Sequence, residues 1–400
     1  MLDMPINHAL MLQQLHEFCE INSGSRNLEG LALLHDTVSQ AFKPLADTID
    51  SISMPQVETI SMTGESLLED TGKALFIRKR PHLKRRVLLC GHMDTVYGID
   101  HSFQKLKQLN QNMINGPGVA DMKGGLIVML HALLAFEQTQ NASQLGWDVF
   151  INADEELGSA ASSPTMIKLA QHCQAALIYE PTLTPDGLLA KNRKGNIKIT
   201  LIATGRSAHS GRDFESGRNA ICYLAEIITA INALNGQRAG VTLNIGKIAG
   251  GLALNVIPDK AIAKIDVRIS APEDSIWVQQ QLEAIHQHYK KIDYTLTVKS
   301  RFDRPVKCIN AATEKLFRHL CSQGKRLNLK LGWKDCGGCC DGNNVAQNGI
   351  PVLDSLGVRG GNIHTPDEYI LLDSLIERAL LSAYLLADLA DGGLEKLELL

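Results

Sequence analysis

Apolar positions fall into two patterns along this chain. Up to about Lys194, short continuous apolar runs alternate with segments whose apolar residues recur every three or four positions. Continuous runs suit strands buried on both faces, and the recurrent spacing suits helices packed on one side. The pattern predicts helices near Ala9–Cys19, Glu29–Lys43, Gly124–Gln138 and Thr165–His172, with strands at Arg86–Cys90, Trp147–Asn152 and Ala175–Tyr179. From Gly195 the pattern changes, and Asn196–Thr204 alternates as a half-exposed antiparallel strand does. A helix near Arg218–Leu234, strands Val241–Ile248 and Lys260–Ile269, a helix near Glu273–Lys290 and a strand Tyr294–Arg301 follow. That β-α-β-β-α-β order is the ferredoxin-like split arrangement. Beyond Arg304-Pro305 helix and strand resume, ending in a long amphipathic helix expected at Leu371–Ala390. A chain of 400 residues exceeds what one core usually supports. The fold class expected is therefore an α/β domain of residues 1–194 and 305–400, interrupted by an inserted α+β domain of residues 195–304.

Composition and charge narrow the classes of partner. Hydrophobic residues at 44% and charged ones at 21% are ordinary for a globular protein. A net charge of −3 argues against nucleic acid or an anionic membrane as the main partner. No apolar run is expected to approach the roughly eighteen residues of a membrane helix. Met1–His8 has neither a basic n-region nor an apolar core, so no secretory signal is expected. Nine scattered cysteines suggest reduced thiols and a cytoplasmic protein.

The candidate chemistry begins at Gly91-His92-Met93-Asp94-Thr95, directly after the apolar run Val87–Cys90. A buried strand ending in His-x-Asp delivers an imidazole and a carboxylate to the carboxyl edge of a sheet, where open α/β proteins build their sites. His92 and Asp94 share a face of an extended segment, so Asp94 is placed to hold the second ring nitrogen of a ligating His92. Further clusters follow: Asp121 in Gly116–Gly125, Asp154-Glu155-Glu156-Leu157-Gly158, Tyr179-Glu180-Pro181-Thr182, and Ile363-His364-Thr365-Pro366-Asp367-Glu368. Three of the four are preceded by apolar strand-like runs, His364 by Val352–Leu356. Two histidines and three carboxylates make a nitrogen and oxygen set suited to a pair of zinc ions. Taken alone, Glu155-Glu156 also reads as a solvated acidic turn at a helix start.

The order His-x-Asp, Gly-x-x-x-x-Asp-Met-Lys-Gly-Gly, Asp-Glu-Glu-x-Gly, Glu-Pro-Thr, Gly-x-x-x-His-Ser-Gly and a late His resembles the co-catalytic zinc metallopeptidases. That family includes glutamate carboxypeptidase, acetylornithine deacetylase, succinyl-diaminopimelate desuccinylase and aminoacylase. The resemblance runs from about Leu12 to Ala390. It implies two zinc ions per subunit, with cobalt or manganese as substitutes, bridged by Asp121. His92 and Glu180 would complete one position, Glu156 and His364 the other. It makes Glu155 the general base and Asp94 the partner of His92, and it implies a cis bond between Asp121 and Met122. In the inserted domain it makes His209 an oxyanion donor, often reaching the other subunit's site, and Asn255 a substrate contact. Arg268 becomes a clamp on a terminal carboxylate, for which the planar guanidinium fork is well suited. Their ordinary alternatives are an exposed loop histidine, a turn asparagine and a surface arginine. Glu at position 180 resembles the deacylases and carboxypeptidases, and Arg304-Pro305 adds to the likeness to glutamate carboxypeptidase. The resemblance implies an α/β/α peptidase domain carrying a ferredoxin-like lid and dimerisation domain.

The expected activity is metal-dependent hydrolysis of an N-acyl amino acid or short peptide beside a free carboxylate. N-acetyl-ornithine or succinyl-diaminopimelate deacylation and a non-catalytic metal-binding protein are the alternatives. Cys336-Gly337-Gly338-Cys339-Cys340 could be a redox or metal motif, but no second Cys-x-x-Cys exists to close a four-sulfur site, so a structural loop is expected. Gly116-Pro117-Gly118 lacks the third glycine of a phosphate cradle. The helix near Arg218–Leu234 carries Ile221, Leu224, Ile227, Ile228 and Ile231 at helical spacing. Part of that stripe must cover the domain's own sheet. The open sheet edge beside it favours a homodimer through the inserted domain.

Overall fold

Arg86–His92 is buried at all seven positions: Val87–Cys90 supplies the apolar run, and Arg86 is paired with the buried Asp148 carboxylate. In a computed structural model, which describes residues 6–397, this strand lies inside a six-stranded sheet. The order is Thr48–Ile52, Ala74–Lys79, Gly146–Asn152, Arg86–His92, Ala175–Ile178, Val352–Leu353. Ala74–Lys79 runs antiparallel to both neighbours, and the remaining pairs are parallel. Met1–Pro5, part of the amino-terminal stretch considered above, lie outside the described residues, as do residues 398–400.

The chain forms two compact units: Met1–Gln56, Asp70–Arg193 and Lys307–Leu400 make the first, and Val57–Glu69 with Lys194–Val306 the second. The second therefore includes a segment that the sequence pattern left with the first. Val57–Ile60 and Ser66–Glu69 pair as a hairpin. The Lys264 ammonium donates to the Ile60 carbonyl, Lys299 pairs with Glu58 at 3.5 Å, and the turn at Gly64 lies against Ile202 and Ile262. The sheet of the second unit is antiparallel, ordered Thr242–Gly250, Lys260–Ile269, Gly195–Thr204, Thr295–Arg304. Ile197, Ile199, Leu201 and Ala203 enter the same apolar core as Leu224, Ile227 and Ile231 of the helix Ala220–Asn232. The intervening positions face the hairpin side.

In the first unit, Gly124–Phe136 is buried at every position except Leu134, and Asp373–Asp388 packs along it. A Cβ on Gly125 would come within 2.1 Å of the Tyr179 carbonyl oxygen. Glycine is what lets the helix start press against the end of a sheet strand. Val119–Phe136 does reach 18 residues with a mean hydropathy of 1.6, against the expectation that no segment approaches membrane-span length. The described fold buries 94% of it in the core. Its first five residues are not regular helix, with Asp121 and Met122 outside helical dihedrals.

The two crossings between the units are paired on the first unit's side. Arg193 and Lys307 exchange main-chain hydrogen bonds at 3.0 Å each. The buried Asp354 carboxylate takes the Arg193 guanidinium bidentately at 2.7 and 2.8 Å and lies 3.5 Å from the Lys307 ammonium. Breaking a buried ion pair leaves uncompensated charge, so Asp354→Ala is expected to lower the unfolding free energy by about 3–5 kcal/mol, measured by denaturant melts. Burial alone would raise the Asp354 carboxyl, but the charges of Arg193 and Lys307 hold it well below the usual range. A depressed folded pKa stabilises above the unfolded pKa. The wild-type advantage should therefore be complete above about pH 4 and shrink as pH falls further. An advantage that stays constant below that pH would contradict the pairing.

Candidate metal centre

Three parallel neighbours end at one sheet edge. Arg86–His92 sits between Gly146–Asn152 and Ala175–Ile178, so His92, the Asp154–Glu156 turn and Glu180 emerge side by side. His364 comes some residues after the Val352–Leu356 run, whose Val352–Leu353 forms the sheet's last strand. It lies in the turn of a hairpin between Gly360–Gly361 and Tyr369–Leu371, and Tyr369–Leu371 pairs with Met113–Asn115. That small sheet, which the sequence pattern did not reveal, ties the late histidine to the loop carrying Asp121. The Asp121–Met122 peptide bond is cis, as the resemblance implies.

These chains bring together two groups of ligand atoms, each within 4.8 Å: His92, Asp121 and Glu180, and Asp121, Glu156 and His364. The two Asp121 carboxylate oxygens go separate ways. Oδ1 lies 3.0 Å from His92 Nε2, and Oδ2 lies 3.2 Å from His364 Nε2. His364 Nε2 is also 3.3 Å from Glu156 Oε2, and His92 Nε2 is 3.8 Å from Glu180 Oε1. Burial and then the Asp121 charge push both the Glu156 and the Glu180 carboxyls up. Asp121 is held low despite burial by hydrogen bonds from His364 and His92. Hydrogen bonds to Asp121 and Glu156 push His364 up to about 11. Such a cluster carries more negative charge than its surroundings satisfy. Glu156 Oε1 is buried with no hydrogen-bond partner. The donor set and its surplus charge fit two divalent cations sharing Asp121.

Glu155 belongs to neither group, yet its charge acts on both His92 and Glu180. It sits in the short turn Glu155–Leu157, which Asp94 positions. Asp94 Oδ1 accepts from the Glu155 N–H and Oδ2 from the Glu156 N–H, each at 3.1 Å, and Ser25 Oγ donates to Oδ2 at 2.8 Å. Toward His92, the nearer Asp94 atom is its main-chain oxygen, 3.0 Å from Nδ1, with the carboxylate at 3.5 Å. Asp94 thus orients the acidic turn as well as the histidine. Asp154 closes the same turn, accepting from Ala161 and Ser162 N–H at 2.9 and 3.2 Å, and burial pushes its carboxyl up to about 6.

The glycine turn weighed above as a phosphate cradle has an occupant from this chain. Gly118 takes a left-handed φ of 71°, and the N–H groups of Gly118, Ala120 and Asp121 converge on the Glu368 carboxylate. The cysteine segment does structural service at Cys340, whose thiol donates to Asp354 at 3.1 Å and accepts the Gly342 N–H at 3.2 Å. Neither ligand group includes a cysteine.

His209, Asn255, Arg268 and Arg304 belong to the second unit. His209 forms a bridge with Val256, and Ser210 N–H donates to the Asn255 carbonyl at 3.0 Å, so both residues sit on paired loops. His209 Nδ1 accepts the Gly211 N–H at 3.1 Å, which assigns the neutral ring's proton to Nε2. Arg268 is less available than a bare surface arginine, since Nε donates to Asp266 Oδ1 at 2.7 Å. Arg304 is buried.

A nitrogen and oxygen donor set at the carboxyl edge of an α/β sheet, with a separate carboxylate beside it, defines a metallohydrolase. The model of peptidase family M20/M25/M40 matches residues 88–388, and the chain belongs to that family. Carboxypeptidase G2 from Pseudomonas sp. (strain RS-16) is 26% identical over 384 residues, covering 96% of this chain and 90% of its own. An M20 family metallo-carboxypeptidase, Sso-CP2 from Sulfolobus solfataricus, superposes with a TM-score of 0.73 at 16% identity, covering 95% of this chain and 99% of its own. The YXEP protein of Bacillus subtilis, a dinuclear metal binding peptidase from the same family, gives 0.65 at 12% identity, covering 96% and 98%. At those identities the two solved structures speak for the fold.

Proposed function

We propose that this hydrolase cleaves an amide beside a free carboxylate, taking an N-acyl amino acid or short peptide in the manner of a glutamate carboxypeptidase. The observation that carries this is the shared Asp121 with Glu155 adjacent to, but outside, both ligand groups. His92, Asp121 and Glu180 would hold one ion, and Asp121, Glu156 and His364 the other, with zinc the metal best suited to these donors. When bound, the ions supply Lewis acidity to the scissile carbonyl and acidify water. Glu155 takes the proton from the attacking water and passes it to the departing amine. His209, with its proton on Nε2, donates to the carbonyl oxygen as charge develops there. Arg268 receives the substrate's free carboxylate, and Asn255 and Arg304 contact the rest of the substrate. The proposal places the enzyme in a reducing cytoplasm, which nine scattered cysteines suggest.

The proposal includes a homodimer through the second unit. Thr242–Gly250 is an edge strand. Leu224, Ile227 and Ile231 cover the unit's own sheet, while Ile248, Leu252 and Leu254 are exposed in the neighbouring edge strand and its loop. A two-fold partner could extend that edge. The test is amine release from a panel of N-acyl amino acids and dipeptides, with zinc, cobalt or manganese added to metal-free protein. Glutamate-terminated substrates should turn over fastest. Faster release from N-acetyl-ornithine or succinyl-diaminopimelate would move the assignment to those deacylases, and no release from any member would overturn it.

A further inference from the structure

Glu368 is fully buried, and its two carboxylate oxygens divide their work. Oε1 accepts the N–H groups of Ala120 at 2.9 Å and Asp121 at 3.1 Å. Oε2 accepts Gly118 N–H at 3.2 Å and the Tyr97 hydroxyl at 2.8 Å. The same Tyr97 hydroxyl lies 2.8 Å from the Thr365 carbonyl, next to His364. The Glu368 carbonyl accepts from Gly116 N–H at 3.2 Å and from the Asn115 amide at 2.7 Å. One side chain therefore joins the turn that delivers His364 to the loop that delivers Asp121. The left-handed Gly118 aims these N–H groups inward, and a Cβ there would come within 2.6 Å of Thr95 Cγ2. A carboxylate receiving several N–H donors is held rigidly, because charge-assisted hydrogen bonds are short and directional.

We propose that Glu368 is a positioning residue for the metal centre, fixing Asp121 and His364 relative to each other so that the position shared with Glu156 is formed before an ion arrives. This rests on the two-ion assignment above. His92 instead ends a central strand of the sheet, and Glu180 follows closely after the strand beside it. Losing Glu368 should therefore weaken the ion between Asp121, Glu156 and His364 far more than its neighbour. Residues that orient ligands without touching the metal typically change metal affinity by about 10–100-fold.

The test is calorimetric titration of metal-free protein with zinc. Wild type should bind two ions per chain. Glu368→Gln keeps the shape but loses charge and one acceptor oxygen, and should bind one ion about 10–100-fold more weakly while the other changes clearly less. Glu368→Asp should recover part of the loss, which a purely structural role would not predict for a shortened buried side chain. Equal affinities for both ions in Glu368→Gln and wild type would overturn the proposal, as would equal weakening of the two. Should Glu368→Gln fail to fold, Tyr97→Phe decides, with a few-fold weakening of one ion expected and no change counting against the proposal. A wild type that binds no ion would instead defeat the two-ion assignment itself.

Discussion

Glu155→Gln is expected to bind both metals as wild type does while turning over roughly 10²–10⁴-fold more slowly, the usual contribution of a positioned general base. The amide is nearly isosteric with the carboxylate, and Asp94 would still hold the main-chain N–H of residue 155, so the turn should keep its shape. Glu156→Gln should behave differently, since Glu156 is in hydrogen-bond range of His364 and inside a ligand group. That variant should lose affinity for one ion along with activity. Metal content measured on each purified variant separates the roles. Loss of an ion from Glu155→Gln with full occupancy in Glu156→Gln would mean the two neighbours are exchanged.

His209→Ala is expected to stay folded and lose about 10²–10³-fold in kcat, the typical cost of removing one donor to a developing oxyanion. The decisive experiment mixes it with Glu155→Gln. If His209 serves the partner's site, a mixed dimer holds one site with both groups intact. Equal mixing with free exchange should then restore about a quarter of wild-type activity, because half the dimers are mixed and each has one good site of two. Exchange shown by labelled subunits without any return of activity would defeat the shared site, and light scattering of an active monomer would do so more simply.

Much of this arrangement could be read from residue order because the site is built at strand ends. Val87–Cys90, Trp147–Ile151 and Ala175–Tyr179 are short and largely apolar, so their burial as strands and the loops after them were legible in the residue pattern, while their parallel pairing was not. The alternation of Asn196–Thr204 likewise marked the start of the second unit's longer segment, Lys194–Val306. What escaped was held by partners distant in sequence. Val57–Glu69 carries too few apolar residues to declare its attachment, which depends on Lys264, Lys299 and the exposed face of another sheet. A strand, Val352–Leu353, does precede His364, but the hairpin that holds the histidine is tied to Met113–Asn115 through Tyr369–Leu371, and strands of two or three residues leave no periodic trace. The Glu368 carboxylate filling a glycine-rich turn was equally hidden, because main-chain N–H groups have no letter in a sequence. The long apolar stretch ending at Phe136 shows the converse, since composition alone does not distinguish a core helix from a membrane span.

In the assignment proposed above, Asp121 joins two metal positions on which amide hydrolysis depends. The measurement that tests it is metal stoichiometry followed in parallel with amine release from an N-acyl-glutamate, as zinc is returned to chelator-stripped protein. Two equivalents per chain should bind, and release should be absent without metal and rise as the equivalents fill. Binding of a single equivalent or none, or release that persists in the stripped protein, would contradict it.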